Sequence, residues 1–434
     1  MTDAPSNKAD FAPTRRSFLR TSVAGATAMT AALALPRAVH AAGSDIIRVG
    51  LVGCGGRGTG AAAQALAADR GARLVAMGDA FADRLESSLV NLRKTIGDER
   101  ADQVDVSADR MFIGIEAYKQ VIDSGVDVVL LCSPPHFRPA HLEAAIAAGK
   151  HVFAEKPVAV DAPGVRRVEN AVAEARRKGL SLVSGLCYRY DLPKRETLAR
   201  VHNGQIGDIV AIHTSYNTGT LWMHPRKSDW SDMEWQLRNW LYFSWLSGDH
   251  IVEQHIHSLD KAAWALRDEP PLRAVGLGGR QVRTAPEFGH IFDHHAVVYE
   301  YASGTKVFAY CRQQAGAAVD VSDYCLGTRG TADIMRHEIS GENAWRYRGE
   351  KPNMYQREHD ELFAAIRSDE PVNNGDYMTR SSMLAIMGRM ATYTGQVITW
   401  DAAMNSSEDL SPPSYDWGPL AVAPVAMPGL TSFR

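Results

Sequence analysis

The chain is poor in cysteine. Its five cysteines, Cys54, Cys132, Cys187, Cys311 and Cys325, are odd in number and widely spaced, with no CxxC pair, in 434 residues. That is no disulfide framework, and the thiols read as small buried residues of a protein that folds under reducing conditions. No block of basic residues occurs and the formal net charge is −3, which argues against nucleic acid as a main partner. No repeat or low-complexity segment appears. Past the N-terminal forty-odd residues there is no long apolar run, so no stable membrane span is expected. What remains is ample core material, 45% hydrophobic residues, in a length that suits two or three domains.

The N-terminus carries Thr14-Arg15-Arg16-Ser17-Phe18-Leu19-Arg20, then a mildly apolar, alanine-rich run from Thr21 to Leu35, then Ala38-Val39-His40-Ala41. Charged, apolar and small-residue regions in that order describe a cleavable twin-arginine signal over residues 1–42, with the cut expected after Ala41. The apolar run falls short of the roughly 20 residues that span a bilayer. The expected partner is the twin-arginine translocation machinery, which exports folded proteins, and the expected location is the periplasm.

About thirty residues later the chain carries a motif of a different kind. Ile46–Val52 is an apolar run interrupted only by Arg48, as in a strand buried on both faces, and it leads into Gly53-Cys54-Gly55-Gly56-Arg57-Gly58. An alanine-rich helix follows from Thr59 to Ala68. In that setting the first glycine permits a tight turn, the second lets the backbone approach a pyrophosphate, and the helix N-terminus supplies N–H groups and its positive end. Ala72–Gly78 reads as the next strand, with Asp79 at its end, about twenty residues past the last glycine, where an acid accepts hydrogen bonds from ribose hydroxyls. NAD is therefore favoured; Arg84 nearby leaves NADP open. A dinucleotide is not normally free outside the cytoplasm, so the cofactor is expected to travel tightly bound.

Alternating strands and helices continue to Leu186. Ser133, Pro134 and His136 form one loop and Glu155-Lys156-Pro157 another, both after strands of a parallel sheet, where ligands bind. Beyond Tyr188-Arg189-Tyr190 the pattern changes. Segments 209–216, 272–277, 294–301, 306–312 and 321–326 read as a second, largely antiparallel sheet. The expected organisation is a Rossmann domain over 43–186, an α+β domain over 187–409 and an irregular tail over 410–434.

The glycine loop, the acid ending the second strand, the Pro134-Pro135-His136 loop and Gly149-Lys150-His151-Val152-Phe153-Ala154-Glu155-Lys156-Pro157, in this order, resemble the glucose-fructose oxidoreductase/inositol dehydrogenase/rhizopine catabolism (Gfo/Idh/MocA) family. The resemblance implies a Rossmann domain followed by an α+β domain with a large open sheet, whose far face often serves homo-oligomerisation. It also implies Lys156 beside the nicotinamide, with the Lys-Pro bond in cis. Gly53, Gly55, Gly56, Arg57, Gly58, Asp79, Ser133, Pro134, His136, Glu155 and Lys156 are the expected cofactor contacts.

The segment Gly248–Lys261 is the richest in chemistry. Read as one helix, it puts Glu253, His257 and Lys261 on one face, with Asp260 three residues from His257. A carboxylate beside an imidazole orients it as a general base for a carbinol proton. The family usually has an aspartate and a histidine four apart here; His257 matches, whereas Glu253 stands in the aspartate's place. Lys156, His257 and Glu253 are thus the catalytic candidates, and Tyr188, Arg189, Trp222, Arg238, His257 and Asp260 the substrate contacts. A metal reading would recruit His250, His255, His257, Asp293, His294 and His295, but the spacing matches no zinc motif, so no metal is expected. Trp222, Trp230, Trp235, Trp240 and Trp245, crowded into one stretch, read as a hydrophobic cluster or as the wall of a carbohydrate-sized pocket.

The leading expectation is hydride exchange between a sugar or polyol and bound NAD. Export with a captive cofactor raises a second: a redox-neutral NAD-dependent glycoside hydrolase working by oxidation, elimination, water addition and reduction. The third is a non-enzymatic sugar-binding protein, against which Lys156 and His257 together argue.

Overall fold

The structure is a computed structural model and describes residues 45–434. The twin-arginine segment read over residues 1–42 lies outside them.

The nucleotide half alternates strand and helix because its strands are short apolar runs and its helices carry one apolar stripe. In chain order it runs β1 (Ile47–Val52), α1 (Gly56–Ala68), β2 (Ala72–Asp79), α2 (Ala82–Ile96), β3 (Met111–Ile113), α3 (Ala117–Asp123), β4 (Val128–Leu131), α4 (Arg138–Ala147), β5 (His151–Ala154), α5 (Ala162–Arg177) and β6 (Leu182–Ser184). The six strands are all parallel, in the order β3-β2-β1-β4-β5-β6. Order reverses beside β1, so the loops after β1 and β4 diverge and open a crevice at the strands' carboxyl ends. β4, β5 and β6 are buried at every position but His151, as strands covered on both faces must be.

The second half runs α6 (Leu192–His202), β7 (Ile209–Thr218), α7 (Asp232–Arg238), α8 (Ser244–Ser247), α9 (His250–Glu253), α10 (Ile256–Ala265), β8 (Arg273–Gly279), β9 (His294–Glu300), β10 (Lys306–Gln313) and β11 (Asp320–Gly327). It continues with β12 (Gly330–Asp333), β13 (Glu338–Gly341), β14 (Trp345–Arg346), α11 (Met354–Ser368), α12 (Gly375–Thr394), β15 (Ile398–Thr399) and α13 (Trp400–Met404). Its nine strands are ordered β14-β13-β12-β11-β7-β10-β9-β8-β15. Only β7 and β10 pair in parallel. α10 and α12 back one face, placing Leu259, Leu384 and Met387 against Val297, Val307 and Ala309. Leu362, Phe363 and Ile366 of α11 return to the first sheet and complete the core beneath α1.

The tail has no regular element. It is tied down by Tyr415 Oη against His136 Nε2 at 2.7 Å and by Trp417 packed on Phe81, ring centres 5.6 Å apart. Among the described residues no helix is long and apolar enough to cross a membrane. All five cysteines are unpaired, and burial pushes the Cys132 thiol up to about 12.

Candidate active site

β1 delivers the chain into Gly53, whose φ of 93° lies in the left-handed region and whose Cβ, if present, would stand 2.4 Å from Ser133 N. A Cβ on Gly58 would meet Gly53 O at 1.9 Å, so only glycine lets α1 pack this close to the loop. Gly55 and Gly56 differ: Cβ atoms there would meet nothing within 4 Å, because both face an open crevice. No side chain caps α1. Bare backbone at the end of a 13-residue helix is the cradle a pyrophosphate needs, and the residues present fit a dinucleotide. Asp79 closes that side: its carboxylate accepts from Cys54 N at 2.6 Å and Phe81 N at 3.0 Å. Each oxygen keeps a lone pair for a ribose hydroxyl.

One cavity of about 660 Å³ runs from this cradle to the second domain. Gly53, Gly55, Gly56, Arg57, Gly58, Asp79, Ser133, Pro134, Glu155 and Lys156 all line it, together with Glu253 and His257. Arg57 does not lie loose in the cradle. Its Nε sits 3.0 Å from Glu155 Oε1 and its guanidinium lies over the Tyr355 ring at 5.0 Å. Glu155 is buried beside Glu358, whose carboxyl is held well above the usual carboxylate range by burial and by the Glu155 charge.

At the far end Lys156, joined to Pro157 by a cis bond, extends its Nζ to Glu253 Oε1 at 2.9 Å and to the Glu253 carbonyl. Both side chains are largely buried and line the cavity. His257 is half-buried, with its shielded Nδ1 lacking a hydrogen-bond partner. Burial, reinforced by Lys156 and Lys261, holds its pKa well below the usual histidine value, so the ring is neutral and free to accept a proton. Tyr188 meets it edge-on at 5.3 Å and Tyr216 stacks at 6.5 Å.

Four sequence expectations change here. The single helix through 250–261 is broken: α9 stops at Glu253 and α10 starts at Ile256, so Glu253 turns to Lys156 and not to His257. Arg189 and Asp260 face away from the cavity. They form a buried ion pair at 2.8 Å, with Asp268 and Ser381 completing it and the guanidinium held between Trp264 and Tyr377. His136 sits outside the crevice, because the turn Pro135–Phe137 swings it against Tyr415 and Trp245, where burial lowers its pKa to about 4. Trp222 and Arg238 do line the cavity, but at the Asp79 end. Arg238 binds Asp83 at 3.1 Å and lies 3.9 Å over Phe81, while Trp222 packs on His224, which meets Arg84 at 3.1 Å. Of the remaining tryptophans, Trp235 and Trp245 are core and Trp240 reaches the cavity.

The histidines weighed for a metal disperse: His255 pairs with Thr214 and His294 with Asp293. Asp249, His250 and His295 do lie within 4.8 Å of one another, buried. Both Asp249 oxygens, however, are occupied, accepting from His250 N and Nδ1, Phe292 N and Tyr393 Oη at 2.5–2.9 Å. Tyr355 and His224 carry no sequence signal; they reach the site from α11 and from the segment before α7.

Residues 47–186 match the family described as GFO_IDH_MocA, "Oxidoreductase family, NAD-binding Rossmann fold". The inositol 2-dehydrogenase of Pseudomonas savastanoi pv. phaseolicola is 27% identical over 229 residues, covering 51% of this chain and 60% of the relative. The 2,7-anhydro-N-acetylneuraminate hydratase of Escherichia coli is 25% identical over 219 residues, 50% of this chain and 53% of the relative. The chain thus spans about 60% of the length of the first of these relatives. The fold is shared with scyllo-inositol dehydrogenase from Lactobacillus casei, solved with NAD(H) and scyllo-inositol (TM-score 0.62, 18% identity, 82% and 99% of the two chains). It is shared equally with the aldose-aldose oxidoreductase from Caulobacter crescentus (TM-score 0.60, 20% identity, 82% and 99%). Residues 47–186 thus have the Rossmann fold and are similar to the NAD-binding domain of the Gfo/Idh/MocA oxidoreductase family.

Proposed function

We propose that this protein is an exported carbohydrate oxidoreductase that works on a sugar or polyol with a tightly held NAD. The observation that carries the reading is one cavity containing the glycine cradle, the Lys156 ammonium and the neutral His257 imidazole. Bound NAD supplies the hydride acceptor and donor. His257 takes the proton of the carbinol hydroxyl, which its depressed basicity allows only as that oxygen is polarised. Lys156 does the polarising, donating to the oxygen and stabilising its developing negative charge. Glu253 fixes Lys156 through the 2.9 Å ion pair and keeps its ammonium from swinging away. Inositol dehydrogenases among the relatives support a polyol or sugar substrate.

Export through the twin-arginine route to the periplasm would isolate the enzyme from any nicotinamide pool, so the redox cycle would close on the protein. Two relatives bear on how. An aldose-aldose oxidoreductase shares the fold, consistent with transfer from one sugar to another. A hydratase shares part of the sequence, and water addition involves no net oxidation, which suits the redox-neutral glycosidase reading. The test is to purify the folded protein, identify the released cofactor by mass spectrometry and follow sugars, polyols and glycosides in deuterated water by NMR. Two-sugar turnover supports the oxidoreductase; an aglycone released with deuterium beside a transient ketone selects the hydrolase. No cofactor reduction and no deuterium uptake with any compound sinks both.

A further inference from the structure

The segment from Gly219 to Phe243 of the second domain lends Trp222, His224, Leu237, Arg238 and Trp240 to the wall of the nucleotide crevice. We infer that it is a fixed cover that binds the adenosine half of the dinucleotide and makes the cofactor non-exchangeable, with Trp222 and Arg238 as cofactor residues and not sugar contacts. The inference rests on the reading of the crevice as a dinucleotide site. Trp222, His224, Arg238 and Trp240 line the same cavity as Asp79 and Arg84, facing the glycine cradle from the other side. Trp222 offers a flat face to a purine, and the Arg238 guanidinium, braced on Phe81 and Trp230, brings a positive edge beside the carboxylate that suits its ribose.

The cover is built to stay shut. Asn239, fully buried, holds the 222–224 segment by both ends of its amide: Oδ1 accepts from His224 N at 2.8 Å and Nδ2 donates to His224 O at 3.0 Å. Tyr242 Oη donates to the carbonyls of Leu221 and Trp222. Across the crevice, Arg238 spans to both Asp83 oxygens at 3.1 Å and Arg84 reaches His224 at 3.1 Å, so the first turn of α2 is stitched to the second domain. The tail braces it from outside: Gln236 Nε2 donates to Leu420 O at 2.8 Å, Met233 N to Gly418 O at 3.2 Å, and Trp417 packs on Phe81. Contacts from three separate parts of the chain thus hold this segment at the Asp79 end of the cavity. Trp222 is still 44% exposed, so the cover is thin enough to probe by mutation without emptying a core.

The test is cofactor release from the full chain. Protein loaded with isotopically labelled NAD is chased with excess unlabelled NAD, and retained label is read by native mass spectrometry. Wild-type protein should keep its label through gel filtration, and Trp222→Ala with Arg238→Ala should release it at least tenfold faster. Asp83→Asn alone, which removes a mostly exposed charge without touching the cover's core, should give a smaller increase in the same direction. Thermal melting confirms that each variant is folded. Wild-type exchange complete within the gel-filtration time, or unchanged release in folded variants, overturns the cover. Retained NAD without turnover of any sugar would instead defeat the proposed activity and leave the cover standing.

Discussion

Lys156 and Glu253 form a positioning pair whose energetics can be separated by a double-mutant cycle. Lys156→Met keeps the length and loses the ammonium that faces the reacting oxygen. Loss of one such donor costs about 3–4 kcal/mol, a fall in kcat of roughly 10²–10³-fold. Glu253→Gln keeps the shape and turns a charge-assisted hydrogen bond into a neutral one. The difference between those bonds is about 1–1.5 kcal/mol, or about tenfold in kcat. The Glu253 carbonyl still accepts from Lys156 Nζ, so the loss should be no larger. Because Glu253 bonds Lys156 and not His257, it should act only through the lysine. The double variant should therefore match Lys156→Met alone, giving a coupling of about 1–1.5 kcal/mol. The assay is single-turnover reduction of bound cofactor, followed by nicotinamide absorbance with whichever polyol or sugar the wild type uses. KM should hardly move, which a general loosening of the site would not spare. Additive losses would show that Glu253 touches substrate itself and would refute the positioning role.

Other outcomes follow from single features of the fold. Gly58→Ala should weaken NAD binding at least tenfold by calorimetry, because its Cβ would overlap Gly53 O and push α1 off the loop. Arg189→Met should cost about 3–5 kcal/mol in urea unfolding by stranding buried Asp260, with KM unchanged in the folded fraction; a KM effect without destabilisation would restore it as a substrate contact. His359 is held at about 3 by burial and Arg57, below its unfolded value near 6.5. Its contribution is complete above pH 6.5 and is lost as pH falls toward 3, about 2 kcal/mol by pH 5, so His359→Leu should flatten that part of the stability profile in urea titrations at pH 7 and 5. Two-sugar turnover on a captive cofactor should give parallel double-reciprocal lines unaffected by added NAD; intersecting lines that depend on added NAD would show free exchange.

What the sequence made legible is what chain neighbours decide. The strand, glycine turn and alanine helix are adjacent, so β1, the loop and α1 follow from local pattern, and Lys156 follows from the rule that such sheets bind at strand ends. Even here propensity misplaced the start of α1: it begins at Gly56, inside the motif, because an extended Gly55 caps it. The partners of the charged residues were not legible. A spacing of four suggested that Glu253 serves His257, but the chain bends at Gln254–His255, and the stronger partner stands 97 residues away. Arg189 looked like a site residue because it follows the last nucleotide-domain strand; its acid partner lies 71 residues on, in α10. The tryptophans show the same limit: their crowding announced an aromatic cluster, but only packing divides them into core and crevice wall.

The division of those aromatics bears on the tension between the proposed export and a dinucleotide. Had all of them lined the catalytic end, the cofactor would have been held by the Rossmann half alone, through contacts that ordinary dehydrogenases also make and routinely release. Instead the second domain spends Trp222, His224 and Arg238 on the Asp79 end, and the tail adds Trp417 outside Phe81. Contacts placed far from Lys156 and His257 do nothing for the reacting carbon; they lower the free energy of the loaded state and slow cofactor departure. That investment makes sense for an enzyme that regenerates its cofactor in place. For one that swaps it each turnover it would set the rate, since release of reduced cofactor would have to open the cover every cycle.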